Sequence, residues 1–172
     1  MASKIIALSG LSGVGKTTAG KYVADKLGFT FIDQDTFFKD VKPKVVLSDG
    51  TVASNWDCLE AIDWDKFNEH VQETLKTNNI VLVGFCLRKE MLKFTINLHI
   101  LLEYKDDPIE MCINARKKSK SAGSKYDSEK DALMVREVVY PFYKETCLHL
   151  SEDVQMTASR PEFIFYFLQA YF

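Results

Sequence analysis

The segment Gly10-Leu11-Ser12-Gly13-Val14-Gly15-Lys16-Thr17 constrains this chain more than any other, because it demands a particular junction of secondary structure. Before it stands a short apolar run, Ile5 to Leu8, too short for a helix and bounded by Gly10, as a buried parallel strand requires. After it, Lys16 to Leu27 reads as a helix closed by Gly28. The pattern GxxxxGK[ST] between strand and helix lets successive backbone N–H groups face one anion, with the helix dipole behind them. Lys16 then sets an ammonium against the outer phosphates, and Thr17 offers a hydroxyl to Mg²⁺. The expected nucleotide-binding residues are Gly10, Ser12, Gly13, Val14, Gly15, Lys16, Thr17 and Thr18. No NKxD guanine-reading motif occurs, so the expected nucleotide is ATP.

The rest of the chain continues the alternation that this junction begins. Phe29 to Asp33, Ile80 to Phe85, Asn97 to Glu103 and Asp153 to Thr157 read as further strands, with Ile80 to Phe85 the clearest central one. Helices are expected at Asp63 to Thr77, with Asp63 as cap, and from Asp107-Pro108 onward. Another runs from Ser128 to Leu150 and is kinked or divided by Pro141. A last one follows Ser159-Arg160-Pro161-Glu162, which has capping-box spacing. Lys117 to Lys125 has no apolar periodicity and reads as an exposed loop. Strands alternating with helices predict an α/β fold, a parallel sheet with helices on both faces.

Composition narrows the partners. With 172 residues, 47% of them hydrophobic, the chain fits one domain spanning residues 1–172. A formal charge of −2 excludes a broad basic field, so no nucleic-acid partner is expected. No apolar run approaches the roughly 20 residues that cross a bilayer, and the N-terminal residues lack a signal-peptide pattern, so no membrane partner and a cytoplasmic location are expected. Cys58, Cys86, Cys112 and Cys147 form no CxxC pair and read as reduced, mostly buried thiols.

The acceptor of a phosphoryl group is argued from acids and from a scarcity of arginine. Asp33 and Asp35 close the second strand, where a carboxylate can take the proton of an attacking hydroxyl or order Mg²⁺. Either can instead cap the following turn. Trp56-Asp57 pairs an indole face with a carboxylate able to grip a diol, or is simple loop packing. Only four of 22 basic residues are Arg, too few to hold a second phosphate with bidentate forks as well. An unphosphorylated, polyhydroxylated acceptor fits better. Arg116 and the lysines after it can close over the phosphates, or can serve as ordinary helix C-terminal cations.

Taken together, GLSGVGKTT, QDTFFK, NWDCLEAIDWDKF and the GF that ends the Ile80 strand resemble the uridine kinases and nicotinamide riboside kinases, more closely the latter; VVYPFY is a weaker echo. The resemblance implies a five-stranded parallel sheet with a short lid at about residues 116–127. It also implies MgATP-dependent phosphorylation of a ribonucleoside 5′-hydroxyl, by a monomer or homodimer. By it, Asp35, Lys16 and Arg116 are catalytic, and Asp35, Phe38, Lys39, Trp56, Asp57 and Arg116 bind the acceptor. Thr17 and Asp35 hold the metal, and Thr157 to Pro161 lie near adenine. One position departs: an acid is usual just before Gly-Phe, and here it is Val83. That substitution motivates a competing reading, a nucleotide-binding regulatory module with degenerate catalysis. Restoring an acid at residue 83 is expected to tell the two apart. Sugar or pantothenate-like acceptors stay open.

Overall fold

The computed structural model describes residues 3–85, 87–120, 128–146, 154–157 and 160–171. Cys86, Cys147, Asp153, Ser159 and the part of the expected lid from residue 121 to 127 lie outside the described residues. The chain runs β1 (Ile5–Gly10), α1 (Lys16–Leu27), β2 (Thr30–Asp33), a 3₁₀ turn (Gln34–Phe37), β3 (Lys44–Val46) and β4 (Val52–Ser54). It continues through α2 (Trp64–Leu75), β5 (Ile80–Gly84), β6 (Leu98–Glu103), α3 (Pro108–Lys120) and α4 (Ser128–Met134). It closes with α5 (Tyr140–Thr146), β7 (Val154–Thr157) and α6 (Pro161–Tyr171).

Five strands form one sheet in the order β2-β5-β1-β6-β7, and every pairing in it is parallel. β1 is therefore the middle strand, with the phosphate-loop segment at its carboxyl end, beside β5 on one side and β6 on the other. Alternate residues feed two faces, as a pleated strand buried on both sides must. Ile6, Leu8, Val81, Val83, Ile100 and Leu102 pack with Val23 of α1 and Ile164 of α6. Ile5, Ala7, Ile80 and Leu82 pack with Phe67 and Val71 of α2. The helix caps follow the chemistry of their residues: Asp63 accepts from the Lys66 amide at 3.2 Å, and Asp107 from the Ile109 amide at 2.9 Å.

Two local readings change, at α3 and at the β3-β4 hairpin, and the division expected at Pro141 is present. α3 runs to Lys120, so Lys117 to Lys120 are helical where an exposed loop was expected. The Ser128 helix is divided by a π-helical segment, Val135–Val139, just ahead of Pro141, whose missing N–H interrupts the regular ladder. The hairpin β3-β4 was not expected. Its strands are too short for alternation to show, and its signal was the turn Asp49-Gly50, where Asp49 accepts from the Thr51 amide at 2.8 Å.

The C-terminal aromatic segment divides between core and surface. Ile164 and Leu168 are buried, while Phe163 and Tyr166 face outward.

Candidate active site

The loop after β1 is shaped by backbone, not by side-chain caps. Gly15 stands at the head of α1 in the left-handed region and makes no side-chain cap bond, which leaves the first-turn amides of α1 available to an anion. Gly13 has φ +80°, and a Cβ on it would lie 2.1 Å from Cβ of Ala115, so the loop and α3 touch closely there. The Tyr104 hydroxyl donates to the Ser12 carbonyl at 2.7 Å and fixes the other side. The Val14 amide donates to the Leu11 carbonyl at 3.3 Å and its side chain is in the core. Thr18 is exposed on the first turn of α1.

Beside this loop lies a cavity of about 400 Å³. Ser12 and Lys16 form its phosphate-side wall, Asp35, Asp57 and Arg116 supply further charge, and Phe38, Trp56, Trp64, Phe85 and Phe142 line it with rings. Lys16, Asp35, Phe38, Trp56, Asp57 and Arg116 therefore meet in one place, although their sequence positions span a hundred residues. Lys39 does not join them; it is exposed and absent from the cavity lining, with its amide bonded to the Ala61 carbonyl. Sequence reading missed the site role of Trp64, Phe85 and Phe142. The Gly-Phe and VVYPFY segments were the signals for the latter two.

The two neighbouring acids do different work. Asp33 caps the 3₁₀ turn by accepting from the Asp35 amide at 3.1 Å, and it accepts from the Thr17 hydroxyl at 3.3 Å. The carboxylate beside Thr17 is thus Asp33, where Asp35 was expected. Asp35 turns instead to the cavity. Desolvation by the surrounding protein, reinforced by repulsion from Asp33, raises its pKa above the usual carboxylate value despite the attraction of Lys16. Lys16 Nζ donates to the Leu11 carbonyl at 2.9 Å, and burial lowers its pKa against the pull of Asp35 and Asp33. Among the described residues no group of three or more His, Cys, Asp or Glu side chains could hold a metal alone. Thr17 with Asp33 suits a hard cation that takes its remaining ligands from phosphate and water.

Val83, the position of the missing acid, is a core residue with 1% exposure. It pairs with Asp33 in the register of β2 and β5, and its Cγ1 lies 2.5 Å from where a Cβ on Gly20 would stand. An acid at residue 83 would enter the apolar contact between β5 and α1, so lost stability has to be separated from any change in turnover when that substitution is used to tell the two readings apart.

Arg116 is the most connected side chain of the cavity. Its Nη2 donates to Asp57 Oδ2 at 2.8 Å and to Ser12 Oγ at 3.4 Å, and its Nη1 lies 4.0 Å from Asp131 Oδ1. Burial opposes the guanidinium charge most strongly, but Asp57, with smaller help from Cys112 and Asp131, holds the pKa above its ordinary value. Trp56 has two ring partners: Phe38 meets it nearly perpendicular at 5.2 Å between centroids, and Lys42 Nζ stands 4.1 Å over its ring.

Residues 12–161 match the family model described as shikimate kinase. A shikimate kinase of Clostridium botulinum (strain Eklund 17B / Type B) is 28% identical over 149 residues, which is 86% of this chain and 86% of that protein. A cytidylate kinase of Mycoplasmopsis synoviae (strain 53) is 33% identical over 92 residues, 52% of this chain and 41% of its own length. A pentafunctional AROM polypeptide of Lachancea thermotolerans is 29% identical over 107 residues, 59% of this chain and 7% of its own. The chain thus spans less than half the length of the latter two. Among solved structures, a sugar kinase from Janibacter sp. HTCC2649 superposes with a TM-score of 0.55 at 16% identity, covering 98% of this chain and 93% of that one. A gluconokinase from Sinorhizobium meliloti 1021 gives 0.51 at 16% identity, covering 93% and 85%. At such identities the two structures establish the shared fold.

Proposed function

The chain belongs to the shikimate kinase family, and from that membership we propose that it transfers the γ-phosphoryl group of ATP to a hydroxyl of a small, polyhydroxylated molecule. The family match replaces the narrower resemblance to nicotinamide riboside and uridine kinases, of which the P-loop kinase level is retained. The observation that carries the proposal is one cavity that holds Lys16 and Asp35 together with Trp56 and Asp57.

In this reading Lys16 and the loop amides orient the phosphates, and Asp35 accepts the proton of the attacking hydroxyl. Its raised pKa makes it a better proton acceptor than an ordinary carboxylate. Asp57 and Arg116 hold the acceptor's hydroxyls and the charge developing at the phosphate. Mg²⁺, held by Thr17 and Asp33, would supply neutralisation of the phosphate oxygens. The uncapped head of α1 and the paired Thr17 and Asp33 are what support both ligands here.

For the acceptor we infer a ribonucleoside, because five aromatic side chains line the cavity and suit a planar base, while Asp57 suits a ribose diol. A second reading, a carboxylate-bearing polyol of the kind its shikimate kinase relatives are named for, is favoured by the family match. The test is ADP release with MgATP against nicotinamide riboside, uridine, cytidine, adenosine, shikimate and gluconate. Asp35→Ala is expected to cut turnover on the preferred acceptor by about 10²–10⁴, with binding of a non-hydrolysable ATP analogue nearly unchanged. Undiminished turnover in that variant removes Asp35 from the mechanism. ATP binding without turnover on any acceptor instead favours a regulatory module.

A further inference from the structure

Arg116 stands where the nucleotide and acceptor regions of the cavity meet, and one nitrogen, Nη2, serves both. It makes a short bond to Asp57 and a longer one to Ser12 in the phosphate loop. The side chains of Arg116 and Asp57 are only 14% and 10% exposed, so their attraction is weakly screened. The residue before Arg116, Ala115, packs so close to the loop that a side chain at Gly13 would collide with it. Nη1 keeps Asp131 as a neighbour on α4, which gives the guanidinium a fixed side about which the other can swing. In the state described here Asp57 is neutralised, and its Oδ2 is engaged by Arg116 when an acceptor hydroxyl would need it.

We propose that Arg116 couples the two regions: phosphates bound on the loop draw Nη2 away from Asp57, and the carboxylate so released receives the acceptor's hydroxyls. A triphosphate carries several negative charges against one on Asp57, so the competition for a single guanidinium favours the nucleotide once it is bound. Nucleotide therefore strengthens acceptor binding, and by linkage acceptor strengthens nucleotide binding by the same factor. The proposal rests on the kinase reading for its acceptor half, whereas its nucleotide half needs only Asp57, Arg116 and the loop.

Two titrations test it. In the first, with no acceptor present, Asp57→Asn frees Arg116 and is expected to bind β,γ-imido-ATP with Mg²⁺ about tenfold tighter than the native chain, within the usual range of coupling between sites. Unchanged or weaker binding by a variant that melts at the native temperature overturns the proposal, whatever the acceptor is. In the second, acceptor affinity is measured with and without imido-ATP. The native chain is expected to show about tenfold tightening. Arg116→Gln should bind acceptor tightly without nucleotide and show a ratio near one. If Arg116→Gln is too unstable to assay, Arg116→Lys keeps the charge but lacks the planar fork and the second nitrogen that stands beside Asp131, and its ratio should also fall. A ratio preserved in either variant, or acceptor binding weakened equally with and without nucleotide, makes Arg116 a plain acceptor ligand and overturns the coupling. Tightening of imido-ATP in Asp57→Asn while no acceptor in the panel binds would uphold the Arg116 competition and reject the acceptor reading instead.

Discussion

The Thr17 hydroxyl donates to Asp33 Oδ2 across 3.3 Å, joining the head of α1 to the end of β2. This bond puts a carboxylate next to the hydroxyl proposed to bind magnesium, without any acid at the end of β5. Asp33→Asn is expected to raise the Mg²⁺ concentration for half-maximal activity about tenfold, the usual loss when a supporting carboxylate near a metal is removed. Titrating MgCl₂ at saturating ATP measures it. An unchanged midpoint would return the metal role to Asp35.

The pH profile should report Asp35. A base whose folded pKa is raised must lose its proton at a higher pH, so the acid limb of kcat/KM should lie above the ordinary carboxylate range. Because Asp33 repulsion contributes to the shift, Asp33→Asn should move that limb to lower pH.

The same raised pKa has a sign in stability. Ionised Asp35 costs the fold at neutral pH, and the cost is absent below the unfolded-state pKa of about 4. Asp35 is open to solvent, which screens most of that cost, so Asp35→Asn is expected to melt only slightly above the native chain at pH 7, with the difference closing as pH falls below about 4. Equal melting temperatures at both pH values would show that the cavity does not penalise the charge.

Val83→Asp should damage the protein. Residue 83 is enclosed by Gly20 and Phe31 neighbours in the core, so a carboxylate there is buried without a partner. A loss of about 3–5 kcal/mol, that of an uncompensated buried charge, is expected in urea unfolding, with no gain in turnover. A stable and more active variant would instead favour the reading of a degenerate site that lacks an acid at this position.

Trp56 should act on acceptor affinity and leave the chemical step alone. Phe38 and Lys42 hold the indole where it lines the cavity, so its ring is positioned in advance of binding. Trp56→Ala is expected to raise acceptor KM by an amount worth about 1–3 kcal/mol, the range measured for base stacking on aromatic side chains, with kcat little changed. Trp56→Phe should recover much of the loss. A fall in kcat alone would place Trp56 near the transferring phosphoryl group instead.

Much of this was legible in residue order because its causes are local. An apolar run ending in Gly10, a glycine-rich turn and Lys16-Thr17 at a helix head specify a backbone path and the anion it faces, whatever lies around them. The caps Asp63 and Asp107 and the break at Pro141 are equally local. What tertiary structure alone decided concerns residues far apart in sequence. That Asp33 and not Asp35 meets Thr17 depends on how the 3₁₀ turn leaves β2. The Val83 side chain points at Gly20 because the register of β5 assigns it to the α1 face, a one-residue matter that composition does not encode. The pairing of Arg116 with Asp57 exists only because the order β2-β5-β1-β6-β7 brings α3 over the phosphate loop. Local geometry is fixed by steric and hydrogen-bonding preferences within a few residues, whereas ion pairs across a site follow from strand order, which hydrophobic periodicity leaves open.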